Sequence, residues 1–180
     1  MVYLFLADGC EEIEALTVVD LLRRAEIEIT TVSISDTKKV VGARGIKIES
    51  DIFFGEVDWN NAELLVLPGG GPGTKRLCAH DALMAKVDEF AKGGKRVAAI
   101  CAAPALIFGE RGLVNGKKAT CYPGMESHLK GAIAVTDSVI TDGNITSSRG
   151  LGTAIDFALE LISLLKSKTV ADDIATSVVY

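Results

Sequence analysis

Arg96-Val97-Ala98-Ala99-Ile100-Cys101-Ala102-Ala103-Pro104 is the stretch on which the fold turns. Arg96 to Ile100 is a short, almost wholly apolar run and reads as a strand buried on both faces. A helix over 102–109 follows at once, with Pro104 in its first turn, where a missing N–H does no harm. Cys101 stands at the joint, with Ala99 and Ala103 two residues to either side. A sharp strand-to-helix turn tolerates only small flanks and pushes the central side chain outward, the steric logic of G-x-S-x-G. A thiol there meets a helix dipole and free backbone N–H groups, which favour the thiolate and lower its pKa. The plainer alternative is a cysteine serving as a small buried hydrophobe. Cys10, Cys78 and Cys121 suit that alternative better, since none sits at such a joint.

Outward from the elbow, short apolar runs alternate with helical patterns. Strands are expected over 2–7, 28–33, 63–67, 96–100 and 118–121, and helices over 11–25, 81–92, 153–165 and 170–177. Residues 39–54 alternate weakly around Gly42 and Gly45 and suggest a β excursion. Asp142-Gly143-Asn144, between two short apolar runs, signals a hairpin. Pro68 to Gly73 reads as a glycine loop. The expected fold is α/β: a doubly wound, flavodoxin-like, mostly parallel sheet with helices on both faces and a nucleophile elbow. Such sheets place their site at the carboxyl ends of the strands, where the loops after Ala7 and Leu67 meet Cys101.

The chain of 180 residues, 48% apolar, has material for one core, so residues 1–180 are expected to form a single domain. A net charge of −5 with only short basic stretches argues against stable nucleic-acid binding. The apolar start stops at Asp8-Gly9, too early for a secretion signal, and no run is long enough for a membrane helix. The expected setting is the cytoplasm, where the four cysteines stay free thiols. No C-x-x-C pair occurs, and the only two histidines, His80 and His128, lack metal-ligand spacing, so no metal is expected.

The helix over 11–25 begins with Glu11, Glu12 and Glu14. In projection Glu14 falls in the apolar arc with Val18 and Leu22, whereas Glu12 falls near the polar side with Asp20 and Arg23. An acid on a core-facing stripe must be protonated or paired. A protonated Glu14 could donate to a thiolate across the sheet end; a carboxylate snorkelling at the end of the stripe explains it equally well. Glu12 reads as a complement to the helix dipole. The loop after Leu67 matches neither G-x-G-x-x-G nor the P-loop. The backbone N–H groups of Gly70 and Ala102 could instead form an oxyanion hole beside Cys101, although most glycine clusters are only tight turns.

These residues together resemble the ThiJ/PfpI superfamily, in the branch of the Parkinson-associated deglycase, DJ-one. The motifs are Ala7-Asp8-Gly9-Cys10-Glu11-Glu12-Ile13-Glu14, Val19-Asp20-Leu21-Leu22-Arg23-Arg24-Ala25, Val66-Leu67-Pro68-Gly69-Gly70, Ala98-Ala99-Ile100-Cys101-Ala102-Ala103-Pro104 and Thr146-Ser147-Ser148-Arg149-Gly150-Leu151-Gly152-Thr153. The resemblance runs along essentially the whole chain. It implies a homodimer with no cofactor, in which Cys101 is the nucleophile and redox-sensitive thiol and Glu14 its protonated partner. It suggests Gly70 and Ala102 as oxyanion donors, and Arg24, Arg44 and Arg149 near the site or the dimer seam. It implies action on small aldehydes and dicarbonyls, or on glycated proteins and nucleotides, with a redox sensor or chaperone as the alternative. Many relatives carry His before Pro after the elbow helix, where this chain has Tyr122-Pro123, which weakens assisted hydrolysis. The proteolytic branch carries His directly after the cysteine, where this chain has Ala102, which counts against a peptidase.

Overall fold

The chain begins with β1 (Val2–Leu6), whose side chains alternate between two cores. Tyr3 and Phe5 join one core, Val2, Leu4 and Leu6 the other, so both faces of the strand are dry. A strand buried twice needs covering on both sides, and this dictates a layered α/β arrangement. The computed structural model, which describes residues 1–180, has that arrangement. The helices α1 (Glu12–Arg24), α4 (Ala154–Leu165) and α5 (Lys168–Ser177) contribute to one core, α2 (Gly71–Cys78) and α3 (Asp81–Lys92) to the other.

The main sheet has seven strands in the order β10-β11-β7-β6-β1-β2-β5. Its members are β2 (Ile29–Ser33), β5 (Ile52–Phe53), β6 (Leu64–Leu67), β7 (Arg96–Ile100), β10 (Val139–Asp142) and β11 (Ile145–Ser148), besides β1. All neighbours are parallel except β10 and β11, which form the expected hairpin. Gly143, at φ +65°, takes the first turn position, as a two-residue hairpin of this kind requires. The chain moves from β1 to β2 on one side, then returns to place β6 on the other, so the order reverses between β1 and β6. The loops at that reversal open a crevice at the carboxyl ends of the strands.

Three elements depart from expectation. The stretch after Gly70 is not an extended loop but the start of α2. Pro72 occupies its first turn, and Gly73 is required because a Cβ there would lie 2.5 Å from the Cys10 nitrogen. The segment after the elbow, Pro104–Gly109, is a π-helix rather than an α-helix. Its wider turn is seen where the Glu110 N–H donates to the Ala105 carbonyl at 3.3 Å. The β excursion splits: β3 (Lys39–Val41) and β4 (Lys47–Glu49) form a separate hairpin, and β5 joins the main sheet beside β2. A further pair, β8 (Lys118–Ala119) and β9 (Ile133–Ala134), lies outside the main sheet. No helix is long and apolar enough to cross a membrane.

Candidate active site

Cys101 has φ +67°, a left-handed conformation that a side chain with a Cβ rarely adopts. Such strain persists only where the surroundings over-determine it. Here the Cys101 N–H donates to Ser148 O at 3.0 Å and the Cys101 carbonyl accepts from Tyr122 N–H at 2.8 Å. The residue is thereby clamped from both sides, and its thiol projects, half-buried, into a cavity of about 430 Å³. Glu11, Glu14, Arg44, Gly70, Ala102 and Tyr122 line the same cavity, with Met125 and Leu151 adding apolar wall.

Glu14 reaches this cavity from the first turn of α1 and is only 1% exposed. Its Oε2 accepts the Gly69 N–H at 2.9 Å, and the Leu151 N–H and the Cys101 thiol also point to the carboxyl group. Burial pushes its pKa up to about 7 despite those hydrogen bonds. The Cys101 thiol does not show the lowered pKa expected of an elbow cysteine. Burial first, and then the adjoining Glu14 charge, push it up to about 12, against hydrogen bonds from the Gly70 and Ala102 N–H groups. A six-residue π-helix supplies little dipole, and a carboxylate next to a thiol repels the second negative charge. The pair behaves as one unit that carries a single proton and a single charge from about neutrality upward. Moving that proton from sulfur to carboxylate generates the thiolate without any change in net charge.

Glycine at 69 makes the pair possible. A Cβ on Gly69 would lie 2.4 Å from the Cys101 Cβ, 2.6 Å from Glu14 Oε2 and 2.9 Å from the Cys101 sulfur. Gly69→Ala is therefore expected to wedge thiol and carboxyl apart, at a cost of about 1–3 kcal/mol to the fold. Loss of Cys101 reactivity toward iodoacetamide, together with a lowered urea midpoint, checks this. Gly70 is held by its own constraints: φ is +86° and a Cβ would lie 2.4 Å from the Gly9 carbonyl oxygen.

The structure separates the remaining candidates. Arg44 and Tyr122 border the cavity. Arg24 does not: it lies on the exposed face of α1, paired with Asp20 at 2.6 Å, in a different groove beside Ile155. Arg149 is half-buried and outside the cavity lining, where its charge acts on Cys121. Both histidines are engaged elsewhere. His80 Nδ1 caps α3 by accepting from the Leu83 N–H at 3.1 Å, and His128 Nδ1 pairs with Glu110 at 2.8 Å. No Cys-His dyad is assembled, so the peptidase reading has no geometric base. Cys10 and Cys121 are buried, with pKa values pushed up to about 12 and about 11, chiefly by burial, and Cys78 is shifted upward for the same reason. Glu12, assigned by projection to the polar side, is instead 1% exposed. The projection failed because the β3–β4 turn folds over the first turn of α1, a contact no helical periodicity can show.

Sheet order, elbow and buried acid define the class of flavodoxin-like proteins that present a thiol where a strand turns into a helix. Residues 1–164 match the DJ-1/PfpI family, and the chain belongs to it. It is 38% identical over 157 residues to Protein DJ-1 homolog B of Arabidopsis thaliana, covering 87% of this chain and 36% of that protein. The chain thus spans little more than a third of that relative's length. It is 34% identical over 172 residues to Protein dj-1beta of Drosophila melanogaster, covering 94% of this chain and 91% of that protein. A relative from Caenorhabditis elegans, 27% identical over 161 residues with 88% of this chain and 84% of that protein covered, is named glutathione-independent glyoxalase DJR-1.2. The solved structure of oxidized Toxoplasma gondii DJ-1 superposes with a TM-score of 0.95 at 35% identity, over 99% of this chain and 97% of that one.

Proposed function

We propose that the chain is a cofactor-free, cysteine-dependent enzyme acting on reactive dicarbonyls, a glyoxalase III-like lyase. By the same attack it would act on early glycation adducts of proteins and nucleotides as a deglycase-like hydrolase. The observation that carries this reading is the placement of the Cys101 thiol against the buried Glu14 carboxyl, within hydrogen-bonding reach, inside a single open cavity. The glyoxalase named among the relatives supports it.

With methylglyoxal, the Glu14 carboxylate takes the thiol proton as sulfur bonds to the aldehyde carbon. The resulting oxyanion lies against the Gly70 and Ala102 N–H groups and then takes the proton back, giving a neutral hemithioacetal. Glu14 next removes the C1 hydrogen, forming an enediolate, and returns a proton to C2. The C1 hydroxyl proton passes to the C2 oxygen and leaves a lactate thioester, which water cleaves to lactate and free thiol. C1 is oxidised and C2 reduced within one molecule, so no external oxidant is required. The wild-type chain is expected to convert methylglyoxal to lactate without glutathione. A glutathione-free lactate assay checks this, and absence of lactate would overturn the reading.

A second reading has support in the same sulfur. The Gly70 and Ala102 N–H groups that face it would equally hold oxygens added by peroxide, as in a sensor that alters a chaperone surface. Mild peroxide followed by mass spectrometry tests this: selective sulfinic acid at Cys101 supports it, and equal oxidation of all the cysteines argues against it. A homodimer suits both readings, since Ile13 and Leu16 on α1 and Leu151 beside the cavity are large apolar side chains left exposed.

A further inference from the structure

Glu12 is fully buried, yet it takes no part in the chemistry described so far. Its Oε1 accepts the Arg44 N–H at 2.7 Å and the Ile46 N–H at 3.3 Å, so one carboxylate oxygen gathers two donors of the turn between β3 and β4. Oε2 is buried with no partner. Gly42 presses so closely on this side chain that a Cβ there would lie 2.2 Å from its Cγ and Cδ. The turn is otherwise tied by three backbone bonds: Gly42 N–H to Ile46 O at 2.9 Å, Gly45 N–H to Gly42 O at 3.0 Å and Ala43 N–H to Cys10 O at 2.7 Å.

A carboxylate that served only the helix dipole would have no reason to leave water. Burying one is costly unless donors compensate, and here the donors belong to the segment that carries Arg44. Burial opposes ionisation of Glu12, but its own N–H, those of Arg44 and Ile46, and the Arg44 charge outweigh it and hold the carboxyl below the ordinary range. The Arg44 side chain is exposed and stands in the wall of the cavity that holds Cys101.

We propose that Glu12 is a positioning residue, which ties down the Gly42–Ile46 turn and so holds the Arg44 guanidinium at the mouth of the Cys101 cavity. A fixed cation there favours carbonyl compounds that bear an anionic group over neutral ones. The inference rests on the reading that ligands enter this cavity, but its test does not depend on turnover.

The test compares wild type, Glu12→Gln, Glu12→Ala and Arg44→Ala in two measurements. The first is hydrogen exchange at the Arg44 and Ile46 amides. The second is the rate of Cys101 alkylation by iodoacetate relative to iodoacetamide, an anionic and a neutral probe of the same thiol. In Glu12→Ala both amides are expected to exchange roughly tenfold faster or more, with β1 amides unchanged. The iodoacetate preference should then fall severalfold, toward that of Arg44→Ala. Glu12→Gln loses the charge but keeps the accepting oxygen, so it should retain both the protection and the preference. If Glu12 acted through charge alone, Gln and Ala would both raise the iodoacetate preference. That result, or wild-type exchange at both amides in Glu12→Ala, overturns the proposal. Absence of lactate in the wild type would remove the enzymatic reading while leaving this one standing.

Discussion

Glu14→Gln is expected to cut lactate formation from methylglyoxal by about 10³-fold and, at the same time, to stabilise the fold above neutrality. The loss of rate follows from the carboxyl's place beside the thiol, since an amide can neither take the thiol proton nor carry hydrogen between C1 and C2. The gain in stability follows from linkage. Burial raises the Glu14 pKa from an ordinary 4.5 to about 7, so the folded chain holds this proton more tightly than the unfolded chain. Its contribution to stability is fully present below about pH 4.5 and is lost as pH rises through about 7. At about 1.4 kcal/mol per unit, the wild type forfeits on the order of 3 kcal/mol across that window, and the glutamine variant does not. Because the amide carbonyl can still accept the Gly69 N–H, the two proteins should have similar stability near pH 4 and diverge by pH 8. Urea titrations at both pH values check this, and parallel curves would show that the carboxyl is not raised.

Cys101→Ser is expected to lower the same activity by at least about 10³-fold, a barrier increase of about 4 kcal/mol, with the thermal midpoint changed by no more than a few degrees. A serine hydroxyl at this site is nearly isosteric and keeps the backbone bonds to Ser148 and Tyr122. It is nevertheless far too weak an acid to yield its proton to a carboxyl near pH 7. Comparable loss of rate with an intact fold separates a reacting atom from a packing atom. A serine variant with wild-type output would remove Cys101 from the reaction altogether.

The sheet was readable because its strands are short apolar runs with clear punctuation, and because Cys101 marks a joint between two of the strongest signals. The site was readable in part. Glu14 stands out as an acid on an apolar arc, and the structure places it against the thiol with only 1% of its surface exposed. What escaped the sequence was contact between segments far apart in the chain. The helix after Gly70 was hidden by two glycines and a proline, residues that oppose helix in isolation but are tolerated where Gly73 must press against Cys10. Glu12 was misplaced because the β3–β4 turn that covers it lies some 30 residues away. Arg24 lies on the same helix as Glu14 yet ends up at the far end of α1, since a 13-residue helix carries its two ends about 20 Å apart. The ionisation of Cys101 departs from expectation because burial first, and then an ionised Glu14, oppose the thiolate, whereas the sequence points to a helix end and a protonated Glu14 that would favour it.

The left-handed backbone at Cys101 sets a limit on how this chain can be improved by engineering. Glycine would adopt that conformation without penalty, so any scheme that scores substitutions by folding energy alone will nominate this position. The gain, on the order of 1 kcal/mol, would erase the one atom on which reactivity depends. Durability and chemistry therefore compete at a single residue. A stabilised version has to find its improvement elsewhere, for instance on the solvent-facing sides of α3 and α5.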